Sequence, residues 1–433
     1  MRVLFAGPVF PRQFNGGLAL ALADLANELS KRGWDVDETL GATGRLPPST
    51  SSTRSPPSTP STSSTHSTLS TPSTLPVSST TGGSRRRTWH QVSNWRVWRA
   101  VPPFVRLAAS VALAPRAHWD AMSNNLRALE AKLSGADRPD VVIVSVNAST
   151  PGAVALALAR HPRVIVLSLD GIVDDVRRPG WLARLAGSDR HPFLLRPVEP
   201  STLRTVVFAS DGWKQSALGA GVPAERSSVV LFGVDVPQSL PPRRTPTGRL
   251  LWVGRLSPQK GLHFLIRALP AIRACYPSTT LTVIGGAGPA GYERAVRRNA
   301  RRLGVYDIIE WQPPCERAAL AAAYRDHDAL FFHSVFDEPV ALVLMEAFAA
   351  GLPVVASRPR VANGLLRHAL TCRLVTPDHV PSMAEAIVAA LGEPAESSRL
   401  AAAAFALVRD DYSLQAMGDA WDRLLRNVAT RTN

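Results

Sequence analysis

The residues best placed to do chemistry are two carboxylates. Glu338 and Glu346 lie eight residues apart, and Glu346 is the one charged residue between Pro339 and Ala350. An ionised carboxylate in so apolar a run must be satisfied, because burying it unpaired is costly. Either a buried arginine or a ligand can meet it. Glu338 precedes Pro339, which suits the first turn of a helix, so free N–H groups of Ala341 and Leu342 should stand beside its carboxylate. Such a helix start suits a phosphate or sugar oxygens, with carboxylates gripping hydroxyls. A second set lies in LLWVGRLSPQKGL, where Arg255 and Lys260 flank a turn that reads as a helix cap at Ser257 followed by Pro258. Two cations and backbone donors there would receive a diphosphate; solvated surface charge is the plainer alternative. The pattern GxxxxGKS/T is absent, so this is no Walker A loop. Gly16 and Gly17 allow either a phosphate to approach a helix start or a bare tight turn.

These groups need a scaffold, and the chain reads as alternating strands and helices. VLFAG is an apolar strand, and Leu18, Leu22, Leu25, Ala26 and Leu29 share one face of the helix that follows. VVIVSV (141–146), VIVLSL (164–169), TVVFAS (205–210) and SVVLF (228–232) continue the first half, with a helix over 152–160. Uninterrupted apolar strands of this kind belong to parallel sheets covered on both faces. A proline-rich linker, 236–248, is followed by LLWVG, a helix over 262–274, LTVIGG, a helix over 290–303, IIEW, a helix near 316–326, ALFFH, the Glu346 helix and PVVAS. The fold class is therefore α/β, with two doubly wound Rossmann-like domains. A ligand would sit in the cleft between them, at the carboxyl ends of the strands. The expected division is 1–235, linker 236–248, 249–410, and a last segment, 411–433.

Composition narrows the function classes. Among 433 residues, 49 Lys and Arg oppose 34 Asp and Glu, a net charge of +15 that favours anionic partners or simply reflects a basic composition. Cys275, Cys315 and Cys372 form no CxxC pair, so neither zinc nor a disulfide framework is expected and a reducing, cytoplasmic setting fits. The start reads as a buried strand, not a signal peptide, and no apolar run is long enough to span a bilayer. Residues 42–88, nearly all Ser, Thr and Pro, read as a disordered insertion. In 85–106, Trp89, Trp95, Trp98 and Phe104 alternate with arginines, which suits peripheral contact with the inner face of a membrane or a basic helix packed on its own protein. No recognition fold accompanies the charge, so nucleic acid is not an expected partner.

Taken in order, GRLSPQKG (254–261), IGGAGP (284–289) and SVFDEPVALVLMEAFAAGLPVVAS resemble the retaining nucleotide-sugar glycosyltransferases of family 4, which have the GT-B fold. LFGVD (231–235) and YSLQAMGDAWDRLL add to the likeness, which covers most of the chain outside 42–130. The resemblance implies a nucleoside diphosphate sugar as donor, a glycan or lipid-linked acceptor, and neither metal nor other cofactor. It implies that Arg255 and Lys260 neutralise the diphosphate, Glu346 binds the ribose, and Glu338 faces the sugar. The backbone of Val340, Ala341 and Leu342 would support the sugar and phosphate, Gly17 would let the first loop near the phosphates, and the base would lie by Gly286 and Gln312. The last helix would cross back onto the first domain. On this reading both carboxylates are paired with ligand. Three departures stand out: Val340-Ala341 replaces Phe-Gly, loop 358–368 lacks the usual Gly-Gly and Glu, and a histidine is replaced by Asp170, a candidate catalytic residue that could accept hydrogen bonds from the sugar or acceptor, or merely cap a turn. The Asp170 replacement and the altered 358–368 loop motivate an alternative, a non-catalytic GT-B binding or partner subunit of a glycan assembly.

Overall fold

The computed structural model describes residues 1–6, 17–38, 116–146, 151–168, 191–193, 196, 198–286, 288–289, 291–334, 338, 340–357 and 364–430. Asp170, the insertion 42–88 and the basic aromatic stretch 85–106 lie outside them.

Two six-stranded parallel sheets carry the molecule. The first has strands β1 (Arg2–Ala6), β2 (Asp35–Glu38), β3 (Val141–Val146), β4 (Val164–Ser168), β5 (Val206–Phe208) and β6 (Ser227–Val229), in the order β2-β1-β3-β4-β5-β6. The second has β7 (Arg249–Val253), β8 (Thr280–Ile284), β9 (Ile309–Gln312), β10 (Ala329–Phe332), β11 (Val354–Ser357) and β12 (Arg373–Val375), in the order β12-β11-β10-β7-β8-β9. The expected pair of doubly wound sheets is therefore what forms.

Strand parity explains why these apolar runs are buried throughout. Val3, Phe5, Val141, Ile143, Ile165 and Leu167 point to one face, against Ala21, Leu25 and Leu29 of α1 (Gly17–Lys31). Leu4, Val142, Val144, Val164 and Val166 point to the other, against α2 (Arg116–Ser134) and α3 (Pro151–Arg160). Successive side chains alternate across a strand, so a sheet covered twice needs apolar residues at every position. The second sheet repeats this. Leu250, Trp252, Leu281 and Val283 meet α5 (Leu262–Cys275) and α9 (Val380–Gly392), while Leu251, Leu330, Phe332 and Val354 meet α8 (Leu342–Ala349) and α10 (Pro394–Asp411). Helices α4 (Asp211–Leu218), α6 (Tyr292–Arg302) and α7 (Arg317–Asp326) complete these layers.

The last helix, α11 (Leu414–Thr430), packs on α1. Arg32 bridges Glu28 and Asp419 at 2.6 and 2.7 Å, Trp34 donates its indole N–H to Asp422 at 2.7 Å, and Trp421 is fully buried. Gly418 lies against this bridge: a Cβ there would stand 2.4 Å from the Arg32 guanidinium, which would have to shift. The linker is pinned at its end. Asp328, on the turn into β10, accepts backbone N–H bonds from Thr247, Gly248 and Arg249 at 2.8–2.9 Å. Arg243 donates to the carbonyls of Tyr324, Arg325 and His327, closing the C-terminal end of α7. No described helix is long and apolar enough to cross a membrane.

Candidate active site

In the second sheet the strand order reverses between β7 and β10, its topological switch point. Ligands of open α/β sheets bind outside the carboxyl ends of the strands at such a crevice. The loop after β7 carries Arg255 and Lys260, and the segment after β10 carries Glu338. They meet there: Lys260 Nζ and Glu338 Oε1 form an ion pair, with side chains 23% and 16% exposed.

The loop geometry is set by packing. Trp252, buried on β7, donates its indole N–H to the Lys260 carbonyl at 3.1 Å. Residues Pro258–Lys260 form one 3-10 turn, and α5 starts only after Gly261, at φ 66°. Ser257 holds the expected N-cap position, with Pro258 in the first turn, but of this 3-10 turn and not of α5. Ser257 has extended dihedrals but its hydroxyl makes no cap bond and has no partner among the described residues, because the left-handed Gly261 separates it from the helix. Gly261 is demanded twice over, since a Cβ would also stand 2.3 Å from the His333 ring. The loop after β8 lies directly on this one. Leu256 N donates to Gly286 O at 2.9 Å, and a Cβ at Gly285 or Gly288 would strike the carbonyls of Gly254 or Leu256 at 1.9 and 1.7 Å. The glycines of IGGAGP thus permit two loops to stack at one sheet edge.

Glu346 occupies the second turn of α8. Its Oε2 accepts the Tyr324 hydroxyl at 3.0 Å, and among the described residues it forms no ion pair. Burial pushes its pKa upward, more than the Tyr324 bond and the nearby Arg317 charge pull it down; Asp24 adds to the upward push. Both carboxylates therefore have protein partners in this structure, which the ligand-only pairing expected from sequence did not include. Ala341 is the N-cap of α8 and gives no side-chain cap bond; its carbonyl takes the N–H groups of Leu344 and Met345, so the uncapped first-turn donors are those of Leu342 and Val343. Ala341 and Leu342 are themselves buried.

The remaining candidates fall as follows. Arg255 is exposed, with no carboxylate partner among the described residues. Gly286 lies in the stacked loop pair. Gln312 contributes its carbonyl to Gly285 N at 3.2 Å, while its side chain bonds Glu310 at 2.9 Å and lines a groove of about 710 Å³ beneath α7. Val340 precedes the α8 cap, and Gly17 is the first residue of α1.

Sequence reasoning missed three groups. Tyr324 is one; a lone phenol among alanines on α7 was the available signal, since a buried tyrosine hydroxyl needs an acceptor. His333 is the second: it is 2% exposed, bonded through Nδ1 to Ser357 Oγ at 2.5 Å, and burial lowers its pKa to about 4. It lies neutral beneath the Lys260 turn. The third is a pair between the domains, Asp24 and Arg317, whose guanidinium donates to both carboxylate oxygens at 2.8 and 2.6 Å.

Residues 247–393 match the family model described as Glycosyl transferases group 1. Over 272 residues the chain is 29% identical to glycogen synthase of Mycobacterium tuberculosis, spanning 61% of this chain and 64% of that one. It is 32% identical over 211 residues to phosphatidyl-myo-inositol mannosyltransferase of Mycobacterium leprae, spanning 47% and 54%. The chain thus spans less than two thirds of either relative. Across 99% of this chain and 100% of the other, it superposes on Anabaena Alr3699/HepE, solved in complex with UDP and glucose, with a TM-score of 0.62 at 19% identity. The fold is GT-B. The second GT-B domain, with the Lys260–Glu338 pair at its switch point, is the part that the family model matches.

Proposed function

We propose that this protein is a retaining, metal-independent glycosyltransferase that moves a hexose from a nucleoside diphosphate sugar to an acceptor hydroxyl in glycan or glycolipid synthesis. The observation that carries the reading is the Lys260–Glu338 pair at the switch point of the group 1 glycosyl transferase domain. An ammonium there suits a phosphate, and a carboxylate beside it suits sugar hydroxyls. Donor binding divides the pair: the diphosphate takes Lys260 and Arg255, and the hexose takes Glu338. Glu346 hydrogen-bonds the ribose, the α8 start receives phosphate or sugar oxygens, and the base lies by Gly286 and Gln312.

As the bond between C1 and the phosphate oxygen breaks, negative charge grows on the diphosphate, where the two cations and the helix start stabilise it. The acceptor oxygen bonds to C1 on the face the diphosphate leaves, and the departing phosphate oxygen takes the acceptor's proton. Neighbours support the donor class: HepE was solved with UDP and glucose, and the named relatives are sugar-transferring enzymes. The test is a thermal-shift panel of UDP, GDP, ADP and their sugars against the full chain. At least one nucleoside diphosphate should raise Tm by mass action. No shift with any of them, at millimolar ligand, would contradict the proposal.

A further inference from the structure

The Asp24–Arg317 pair joins α1 of the first domain to α7 of the second, and it is bidentate. Arg317 Nη1 and Nη2 donate to Asp24 Oδ1 and Oδ2 at 2.8 and 2.6 Å. Asp24 is 11% exposed and Arg317 43%, so the carboxylate is sealed in by the contact while the guanidinium stays at its rim. On α7, Arg317 and Tyr324 are two turns apart, hence on one side of the helix. Tyr324 is bonded to Glu346. The charges of Arg317 and Asp24 both act on Glu346, with opposite signs, which places all three within electrostatic reach. Besides Asp24, the carboxylates acting on Arg317 are Glu346 and Asp235.

Resting on the donor-site reading above, we infer that Asp24 is a positioning residue for the donor site: by holding Arg317 it keeps that guanidinium off Glu346, so Glu346 is free for the ribose only while the first domain is docked. Arginine prefers a planar two-point partner, and Asp24 supplies one. When the cleft opens and α1 withdraws, Arg317 loses that partner. Glu346, held on the same side of α7 by Tyr324, then takes the guanidinium and the ribose site closes. Grip on the donor is thereby tied to closure of the two domains. The linker reinforces this, because Arg243 fixes the other end of α7.

The experiment uses the full chain as Asp24→Asn, Arg317→Met and the double variant. The first readout is the Glu346 titration by carbonyl NMR, which needs no ligand. Because the Asp24 charge itself raises the Glu346 pKa, the deciding quantity is the cycle: Asp24→Asn should lower that pKa by about one unit more in the wild-type background than in Arg317→Met, where only the direct loss of the Asp24 charge remains. The second readout is calorimetric affinity for whichever of UDP, GDP and ADP binds the wild type. Affinity should drop about ten-fold in Asp24→Asn and return to within about two-fold in the double variant, a rescue that loss of a purely structural contact would not give. Equal falls of the Glu346 pKa on Asp24→Asn in the wild-type and Arg317→Met backgrounds, or a double variant as weak in binding as Asp24→Asn, overturn the inference. Failure of the wild type to bind any nucleoside diphosphate overturns the donor-site reading instead, while the titration still decides whether Arg317 moves to Glu346.

Discussion

Glu338 and Glu346 sit at the two ends of one short segment, yet an ammonium answers the first and a phenol answers the second. The difference is one of solvation. Glu338 lies in a loop at the sheet edge, where its charge is matched by Lys260, 78 residues away in sequence. Glu346 lies on α8 between apolar neighbours, where a neutral hydrogen-bond donor offsets only part of the burial and the pKa rises. A charge pair can be divided by a ligand that carries both signs of recognition. A half-satisfied buried carboxylate awaits further donors, which ribose hydroxyls would supply. The first end is thus suited to chemistry on the diphosphate and sugar, the second to holding the nucleoside.

Substitutions should separate the two ends. Lys260→Ala removes the cation from the leaving group, and kcat/KM should fall about 1000-fold while Tm stays near the wild-type value. Unchanged turnover would remove the loop from the site. Next in size is an acid effect at the support of that loop. His333 is held neutral by burial, with a folded pKa of about 4 against 6.5 unfolded. The unfolded chain binds the proton first, so stability present above pH 6.5 is lost as pH falls toward 4, by up to about 3 kcal/mol. Chemical denaturation across that window checks it, and His333→Asn should flatten the slope.

The Glu346 end gives smaller effects of opposite kind. Glu346→Gln relieves the burial of charge, so Tm without ligand should rise, while nucleoside diphosphate affinity falls about ten-fold, or 1.4 kcal/mol. Loss of stability in that variant would mean the carboxylate is structural. Smallest is Tyr324→Phe. It removes a bond that favours the ionised form, so the Glu346 pKa should climb further and the acid limb of the binding profile move to higher pH. Affinity at pH 7 should drop about three-fold, the scale of one hydrogen bond.

Much of the fold was legible because it is repetitive. Val141–Val146 reads as a strand buried on both faces, and it forms with those bounds. The region 373–411 was harder, since its short strand and alanine-rich helices give weak periodicity. In the site, types and spacing named Lys260, Glu338 and Glu346, but partners were invisible. Whether Lys260 reaches Glu338 depends on a left-handed Gly261 packed on His333, a tertiary fact. Tyr324 and Arg317 meet their carboxylates through helix packing and domain docking, which local pattern does not encode.

The central claim is that a nucleoside diphosphate divides the Lys260–Glu338 pair at the second switch point. The most direct measurement is a crystal structure of the full chain with its best-binding nucleoside diphosphate. The account predicts the Lys260 ammonium on a phosphate oxygen, Glu338 released, and Glu346 on the ribose hydroxyls. A nucleotide bound elsewhere, with Lys260 still paired to Glu338, would contradict it.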